Sequence, residues 1–203
     1  MFMLRRLGAV AVGILILIVI GIRGCLNARK ERAFENYASD LSTLVNESQQ
    51  LSSTFFGRFA DPKNLTELQF ETEIKADRST AEGLVTRAES LDPPGELSGP
   101  QDDVVKSFEL RRDGLAGIAD NISGAFSNEA DVQRDALDQI TLDMQDFLAS
   151  DALYRGARED SETVLSAQGI TAEIPESEFL PQPITDWLDE IAVAESLAGI
   201  TGA

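Results

Sequence analysis

The chain has 203 residues, of which 35 are acidic and 17 basic, with no histidine and one cysteine, and its formal net charge is −18. The lack of histidine excludes Ser-His-Asp and Cys-His catalysis and histidine-ligated zinc or haem. The acidic charge argues against nucleic acid as a partner, and one cysteine cannot form an intramolecular disulfide, so a hydrophobic core has to stabilise the fold.

The N-terminus carries an uninterrupted apolar run at residues 7–22, which is bracketed by Arg6 and Arg23. Arginines at both ends can snorkel to the membrane surface and extend the run towards the roughly 20 residues that span a bilayer. We therefore predict a short cytoplasmic start at 1–6 and a transmembrane signal anchor at 7–24.

Processing of this segment has two readings. The stretch Ile22-Arg23-Gly24-Cys25 has the position of a lipoprotein processing box, in which Cys25 would be lipidated. A charge two residues before the cysteine is unusual for such a box, and no small-x-small cleavage pair follows the run. We favour a retained anchor, with a lipoprotein acylated at Cys25 as the alternative.

The orientation of the anchor depends on two signals that disagree. Only two arginines precede the run, whereas four basic residues closely follow it, which on charge alone favours a cytoplasmic C-terminal domain. A basic start of six residues before an apolar stretch is nevertheless the layout of an export signal. We predict a single-pass protein of the cytoplasmic membrane with the bulk of the chain extracytoplasmic.

Beyond the anchor, apolar residues recur at steps of three and four, which predicts an all-α fold. The first helix continues from the membrane to Phe55 and stops near Asp61-Pro62. A second helix, capped by Asn64 or Thr66, ends before the loop 92–95. The remaining predicted boundaries are a third helix opening at Ser98 or Gly99 and a fourth opening at Ser127 or Asn128 and stopping at Gly169.

Four helices joined by short breaks predict an up-down antiparallel four-helix bundle at 25–173 that continues from the transmembrane helix. An unbroken fourth helix would overshoot its partners by roughly 20 Å at 1.5 Å per residue, so a bend is expected at 150–156. We expect an apolar stripe on this helix that includes Val132, Phe147 and Leu148.

The last segment, 174–203, is predicted to be an extended tail followed by a short C-terminal helix. Three prolines between 174 and 184 favour an extended chain, and Thr185 can cap the helix. The tail is too apolar for a solvated linker, so we expect it to dock on the bundle with Trp187 as its anchor.

Polar residues interrupt the apolar stripes at similar heights in three helices. Ser48 lies in the first stripe and Asp77 in the second. The third carries Arg112, or Arg111 if the stripe is shifted. Because an unpaired buried guanidinium would be very costly, we expect Asp77 to pair with one arginine and Ser48 to accept a leftover donor. We interpret this polar layer as a pair that fixes helix register, with an anion-binding site as the alternative.

Three stretches carry a resemblance to other proteins: 22–26, 108–115 (Phe-Glu-Leu-Arg-Arg-Asp-Gly-Leu) and 147–151 (Phe-Leu-Ala-Ser-Asp). Together with the N-terminal anchor and the Leu-Pro...Trp-Leu tail, they resemble uncharacterised single-pass membrane-anchored helical proteins of high-GC actinobacteria. The resemblance implies an anchored helical protein and carries no activity or site residue.

No catalytic, cofactor-binding or metal-ligating set emerges from the sequence, and we expect no enzymatic activity. The favoured function is a non-catalytic, membrane-tethered protein that binds a protein partner or organises the cell envelope. A ligand-sensing domain that signals through a partner subunit and a hydrolase that uses carboxylates alone are the alternatives. A small-x-x-x-small pair in the anchor, Ala9 and Gly13, leaves a homo-oligomer open.

Overall fold

The computed structural model describes residues 2–62 and 65–200, with side chains from residue 28 onward. The fold is all-α, and no β-strand lies in the described ranges. The helices are α1 (Phe2–Ala60), α2 (Glu67–Glu89), α3 (Ser98–Ala125), α4 (Ala130–Gln168) and α5 (Glu190–Ala198), with short 3-10 turns at Gly95–Leu97 and Ile184–Asp186.

Local chemistry sets the helix ends. The side chain of Thr66 accepts from the amide of Gln69 while the Gln69 side chain accepts from the amide of Thr66, a capping box that starts α2. The alternative cap, Asn64, lies outside the described residues. Gly169 ends α4 in the left-handed conformation at φ 67°, which glycine adopts without steric cost.

Two predictions about α4 are wrong. The helix runs unbroken through 150–156, because its far end is covered after all: Lys30 of α1 donates to Gln168 at 2.8 Å. Val132 and Leu148 are exposed and do not belong to the buried face of α4. Phe147, the third residue of the predicted stripe, does lie on that face.

Neighbouring helices run antiparallel, as the residues that join them demonstrate. At each interface, a later residue of one helix joins an earlier residue of the next, so the residue numbers run in opposite directions along the two helices. The joining pairs are Arg58–Glu73 and Glu47–Arg87 between α1 and α2, Arg78–Asp120 and Gln101–Ala88 between α2 and α3, and Arg111–Asp151 and Gln133–Ala125 between α3 and α4.

The helices share one hydrophobic core with an aromatic cluster at its centre. Phe55 and Phe147 join α1 to α4 with ring centroids 5.9 Å apart, and Phe59 and Phe70 join α1 to α2 at 5.1 Å. The tail adds Phe179, whose ring lies 4.8 Å from that of Phe147. The tail is therefore part of the core.

After Gly169 the chain reverses and runs back along α4 as an extended segment until the 3-10 turn at Ile184–Asp186. The prediction that Thr185 caps the last helix is wrong. Asp189 is the cap, because its carboxylate accepts from the amides of Ile191 and Ala192. Trp187 consequently precedes α5.

Among the residues whose side chains the structure describes, no helix is long and apolar enough to cross a membrane. The predicted anchor at 7–24, and with it Cys25, lies outside those residues. The backbone of α1 is helical from Phe2 onward.

Candidate functional site

The most unusual group in the described core is the guanidinium of Arg111 on α3, which is only 2% exposed. Its Nε donates to the hydroxyl of Ser150 at 3.1 Å, and its Nη1 donates to Ser48 at 2.9 Å and to Ser177 at 3.0 Å. Its Nη2 donates to Asp151 Oδ1 at 3.1 Å. Residues of α1, α4 and the tail together thus supply the hydrogen-bond acceptors of the guanidinium.

Three aromatic rings enclose the same guanidinium. Its central carbon lies 4.9 Å from the ring centroid of Phe108, 5.5 Å from Phe179 and 5.7 Å from Tyr154. Cations are attracted to the faces of aromatic rings, most strongly where water is absent. Burial lowers the pKa of Arg111, and the neighbouring Asp151 carboxylate opposes that shift.

Asp151 on α4 connects the cation to the tail. Besides Arg111, its Oδ1 accepts from the amide of Phe179 at 2.7 Å and its Oδ2 accepts from the amide of Leu180 at 2.9 Å. A carboxylate with three such donors is well compensated for its loss of water. We call Arg111, Asp151, Ser48, Ser150 and Ser177 the polar cluster.

Further side chains of α1 and α4 hold the tail by its main chain. These contacts reach the carbonyl oxygens of residues 174–180, which we call the docked segment. The donors are Arg158 to Ile174 at 3.2 Å, Tyr154 to Pro175 at 2.9 Å, Gln49 to Glu176 at 3.1 Å and Ser52 to Phe179 at 2.5 Å. The space between α1 and α4 is therefore a groove that binds an extended chain.

From Glu176 to Phe179, side-chain burial alternates as in a strand. Ile174, Ser177, Phe179 and Leu180 are buried, whereas Glu176 and Glu178 face solvent. Their carboxylates meet arginines on α4, Glu176 with Arg158 at 2.7 Å and Glu178 with Arg155 at 3.8 Å. An open cleft of about 430 Å³ lies beside these surface pairs.

The predicted partner of the buried arginine is wrong. Asp77 forms its ion pair with Arg58 of α1, which also contacts Glu73 at 2.9 Å, and does not pair with Arg111 or Arg112. Asp77 lies on the side of α2 that faces α1, at the level of Arg58, whereas Arg111 lies at the level of Ser48, roughly 15 Å away along α1 at 1.5 Å per residue. Burial raises the pKa of Asp77 to about 6, and Arg58 pulls it back only in part.

The other predicted site residues have the following places. Arg111, from the shifted register, faces the core and contacts Ser48, whereas Arg112 lies towards solvent and pairs with its neighbour Asp113 at 2.8 Å. Trp187 packs on Phe56 with centroids 4.7 Å apart but is only partly buried. The deeper anchors of the tail are Phe179 and Leu180, at 1% and 2% exposure.

Sequence reasoning missed Asp151, Ser150 and Ser177. A signal for the first two exists, because Phe147, Ser150, Asp151 and Tyr154 follow one another at the three-and-four spacing of a helix face. The predicted bend at 150–156 hid this continuation. Ser177 lies in the extended tail, where no helical spacing applies.

One more carboxylate is partly buried, at the interface of α3 and α4. Asp143 packs over Gly117, where a Cβ atom would lie only 2.3 Å from its Oδ2. That Oδ2 is buried without a hydrogen-bond partner. Burial raises the pKa of Asp143 to about 6, and the nearby charges of Asp146 and Asp120 act in the same direction.

Comparison of the chain with protein-family models, with curated proteins and with solved structures gave no match. Within the described residues, no group of three or more acidic or cysteine side chains is arranged to hold a metal ion. Within the polar cluster, the guanidinium of Arg111 makes four hydrogen bonds, all of them to protein atoms. This arrangement can bind and fix a peptide segment.

Proposed function

We propose that the protein is a non-catalytic, membrane-tethered component of the cell envelope. In this proposal it consists of an up-down four-helix bundle on a transmembrane signal anchor at 7–24, with the bundle outside the cytoplasmic membrane. It acts by binding another protein. The observation that carries the proposal is that α1 is one helix, Phe2–Ala60, which joins the apolar run directly to the core.

Two further features support a role in protein interaction. The chain is strongly acidic at −18, which keeps a tethered domain away from anionic lipid headgroups and leaves its sides accessible to a partner. The groove between α1 and α4 holds an extended segment chiefly by main-chain hydrogen bonds, a mode that proteins use to recognise peptides.

Cysteine labelling in intact cells tests the orientation. In a Cys25→Ser background, Asn128→Cys places a thiol in the exposed loop before α4, and Met3→Cys places one before the apolar run. We expect a membrane-impermeant maleimide to label the first in intact cells and the second only after lysis. The opposite pattern would place the bundle in the cytoplasm.

Mass spectrometry of the unsubstituted protein tests the anchor. An intact N-terminus with a free Cys25 thiol is expected for a signal anchor. A diacylglyceryl group on Cys25, with the preceding residues removed, would establish the lipoprotein form instead and would still leave the domain tethered.

A further inference from the structure

Helix α1 carries two arginines, Arg29 and Arg32, that differ from the other described cations; we call them the arginine pair. Every other arginine and lysine with a described side chain forms an ion pair with a carboxylate. Lys30, which lies between the two, contacts Glu96 at 2.5 Å. Within the described residues, Arg29 and Arg32 form no ion pair, and both are exposed. These two cations are therefore available to an anion outside the chain.

Nearby acidic residues do not neutralise the arginine pair. Glu31 and Glu35 lie within one turn on α1, yet neither forms an ion pair within the described residues. Elsewhere the chain does form such pairs between neighbouring turns, as Arg78 and Glu82 do at 3.2 Å. The two arginines are three residues apart and so lie on one face of the helix. Two adjacent guanidinium groups suit a phosphate group, which accepts several charge-assisted hydrogen bonds.

The arginine pair lies a short distance beyond the apolar run at 7–22. Because α1 is one helix, Arg29 stands roughly 10 Å and Arg32 roughly 15 Å past residue 22 at 1.5 Å per residue. The headgroup layer adds about 5 to 8 Å on each side of the hydrocarbon core. Helix side chains lean towards the N-terminus, which here is the side of the apolar run, and the long arginine stem allows snorkelling. Both guanidinium groups are therefore directed back towards lipid phosphates.

The charge of the remaining chain favours a lipid over a free anion as the ligand. After Arg32 the sequence holds 34 acidic and 11 basic residues, a net charge of −23. A domain with this charge repels anions in solution and the membrane surface alike. A lipid of the membrane that holds the anchor is already beside the arginine pair, whereas a free anion has to approach through that repulsive field.

We propose that the arginine pair is a binding site for the phosphate groups of anionic phospholipids. This inference rests on the proposed function, because the pair meets lipid only if the apolar run spans the membrane. It adds a defined stance to that function. The base of α1 is held at the headgroup layer while the acidic bundle is repelled from it, which leaves the sides of the bundle accessible to a protein partner.

Energy transfer to labelled lipids tests the site in the full chain. In a Cys25→Ser background, Ala28→Cys places a donor dye at an exposed position next to the arginine pair. The protein is reconstituted into phosphatidylcholine vesicles with a trace of acceptor-labelled phosphatidylglycerol or acceptor-labelled phosphatidylcholine. We expect preferential association with the anionic lipid. The ratio of the two association constants should fall about fivefold in the double variant Arg29→Gln, Arg32→Gln, because basic residues near the surface attract anionic headgroups.

A charge-matched variant separates a local site from an effect of net charge. The double variant Arg112→Gln, Arg134→Gln removes two positive charges from α3 and α4, and it should keep the lipid preference. Inorganic phosphate added at constant ionic strength should also leave the preference unchanged. The lipid assignment is overturned if the charge-matched variant loses as much preference as Arg29→Gln, Arg32→Gln, or if inorganic phosphate abolishes the preference.

The remaining outcomes distinguish this inference from the proposed function. Energy transfer to neither lipid would mean that the chain is not tethered, and both proposals would fail. Equal association with the two lipids would overturn the lipid site and leave the tether in place. Either orientation of the anchor puts the arginine pair at a headgroup layer, so the result does not depend on which side of the membrane holds the bundle.

Discussion

Two arginine–aspartate pairs among the described residues include a buried aspartate, and their surroundings are very different. The side chains of Arg111 and Asp151 are 2% and 7% exposed, and their hydrogen bonds come from α1, α3, α4 and the tail. Arg58 and Asp77 join only α1 and α2, and Arg58 is 16% exposed. The first pair connects three helices and the tail inside the core, whereas the second pair lies at the edge of the interface between α1 and α2.

The comparison teaches that burial alone does not make an ion pair important to a fold. Asp77 is as buried as Asp151, yet its partner Arg58 can exchange protein contacts for water. Arg111 cannot, because it is surrounded by rings and hydroxyls. The number of helices and segments that hydrogen-bond to a charged side chain is the better guide to its contribution to stability.

The largest expected effect follows from breaking the central pair. Arg111→Ala leaves Asp151 without its cation and should lower the free energy of unfolding by about 3 to 5 kcal/mol. The double variant Arg111→Met, Asp151→Leu should lose less than Arg111→Ala, because no charge stays buried. Urea denaturation measures both. If the double variant were the less stable, charge pairing would not explain the cluster.

The next effect compares the two aromatic side chains of the tail. Phe179→Ala should cost about 3 to 5 kcal/mol, because its ring is fully buried against Phe147. Trp187→Ala should cost about half of that, since it is only partly buried. In Phe179→Ala, fluorescence of Trp187, the single tryptophan, should shift to the red. Unchanged emission would mean that Trp187 docks independently.

A smaller effect is expected at the peripheral pair. Arg58→Ala should lower the free energy of unfolding by about 1 kcal/mol, because the pair is partly solvated and Asp77 can take up a proton. Urea denaturation of Arg58→Ala and Arg111→Ala under the same conditions gives the ratio of their losses in unfolding free energy. A loss as large as that of Arg111→Ala would remove the distinction between the two pairs.

The smallest effect concerns Asp143, a partly buried carboxylate beside acidic neighbours. Its pKa of about 6 is above that of an unfolded aspartate, so its contribution to stability is present at low pH and is lost as pH rises through 6. Asp143→Asn should flatten this dependence between about pH 4 and 6, by about 1 kcal/mol or less because solvent screens the group. Asp160→Asn, at an exposed position of α4, provides the control.

Much of the fold is predictable from the sequence because helices are local. The three-and-four periodicity predicts the all-α class, and Thr66 and Gly169 mark helix ends by their own side-chain or backbone chemistry. Thr185 and Asp189 are equally good caps on paper. The choice between them depends on how Trp187 packs against Phe56, which is a tertiary contact.

The polar cluster is harder to predict, because it depends on which neighbour each helix faces. The predicted heights place Asp77 and Arg111 at similar levels, but Asp77 bonds Arg58 and Arg111 bonds Ser48, which lie roughly 15 Å apart along α1. Helix spacing also does not show that Asp77 faces α1 while Arg111 faces α4 and the tail. The third hydroxyl comes from an extended segment that has no periodicity. The tail's contribution to the polar cluster, Ser177, therefore cannot be predicted from helical spacing.

The main-chain character of the docked segment has a consequence for how the chain can vary. Glu176 is held by its backbone carbonyl, and the side chains of Glu176 and Glu178 point to solvent, so most residues should be tolerated at both positions. Ser177 and Phe179 fill closed space between them and should accept few replacements. A deep mutational scan should therefore alternate between permissive and intolerant positions from 176 to 179, the signature of a strand in a protein built from helices.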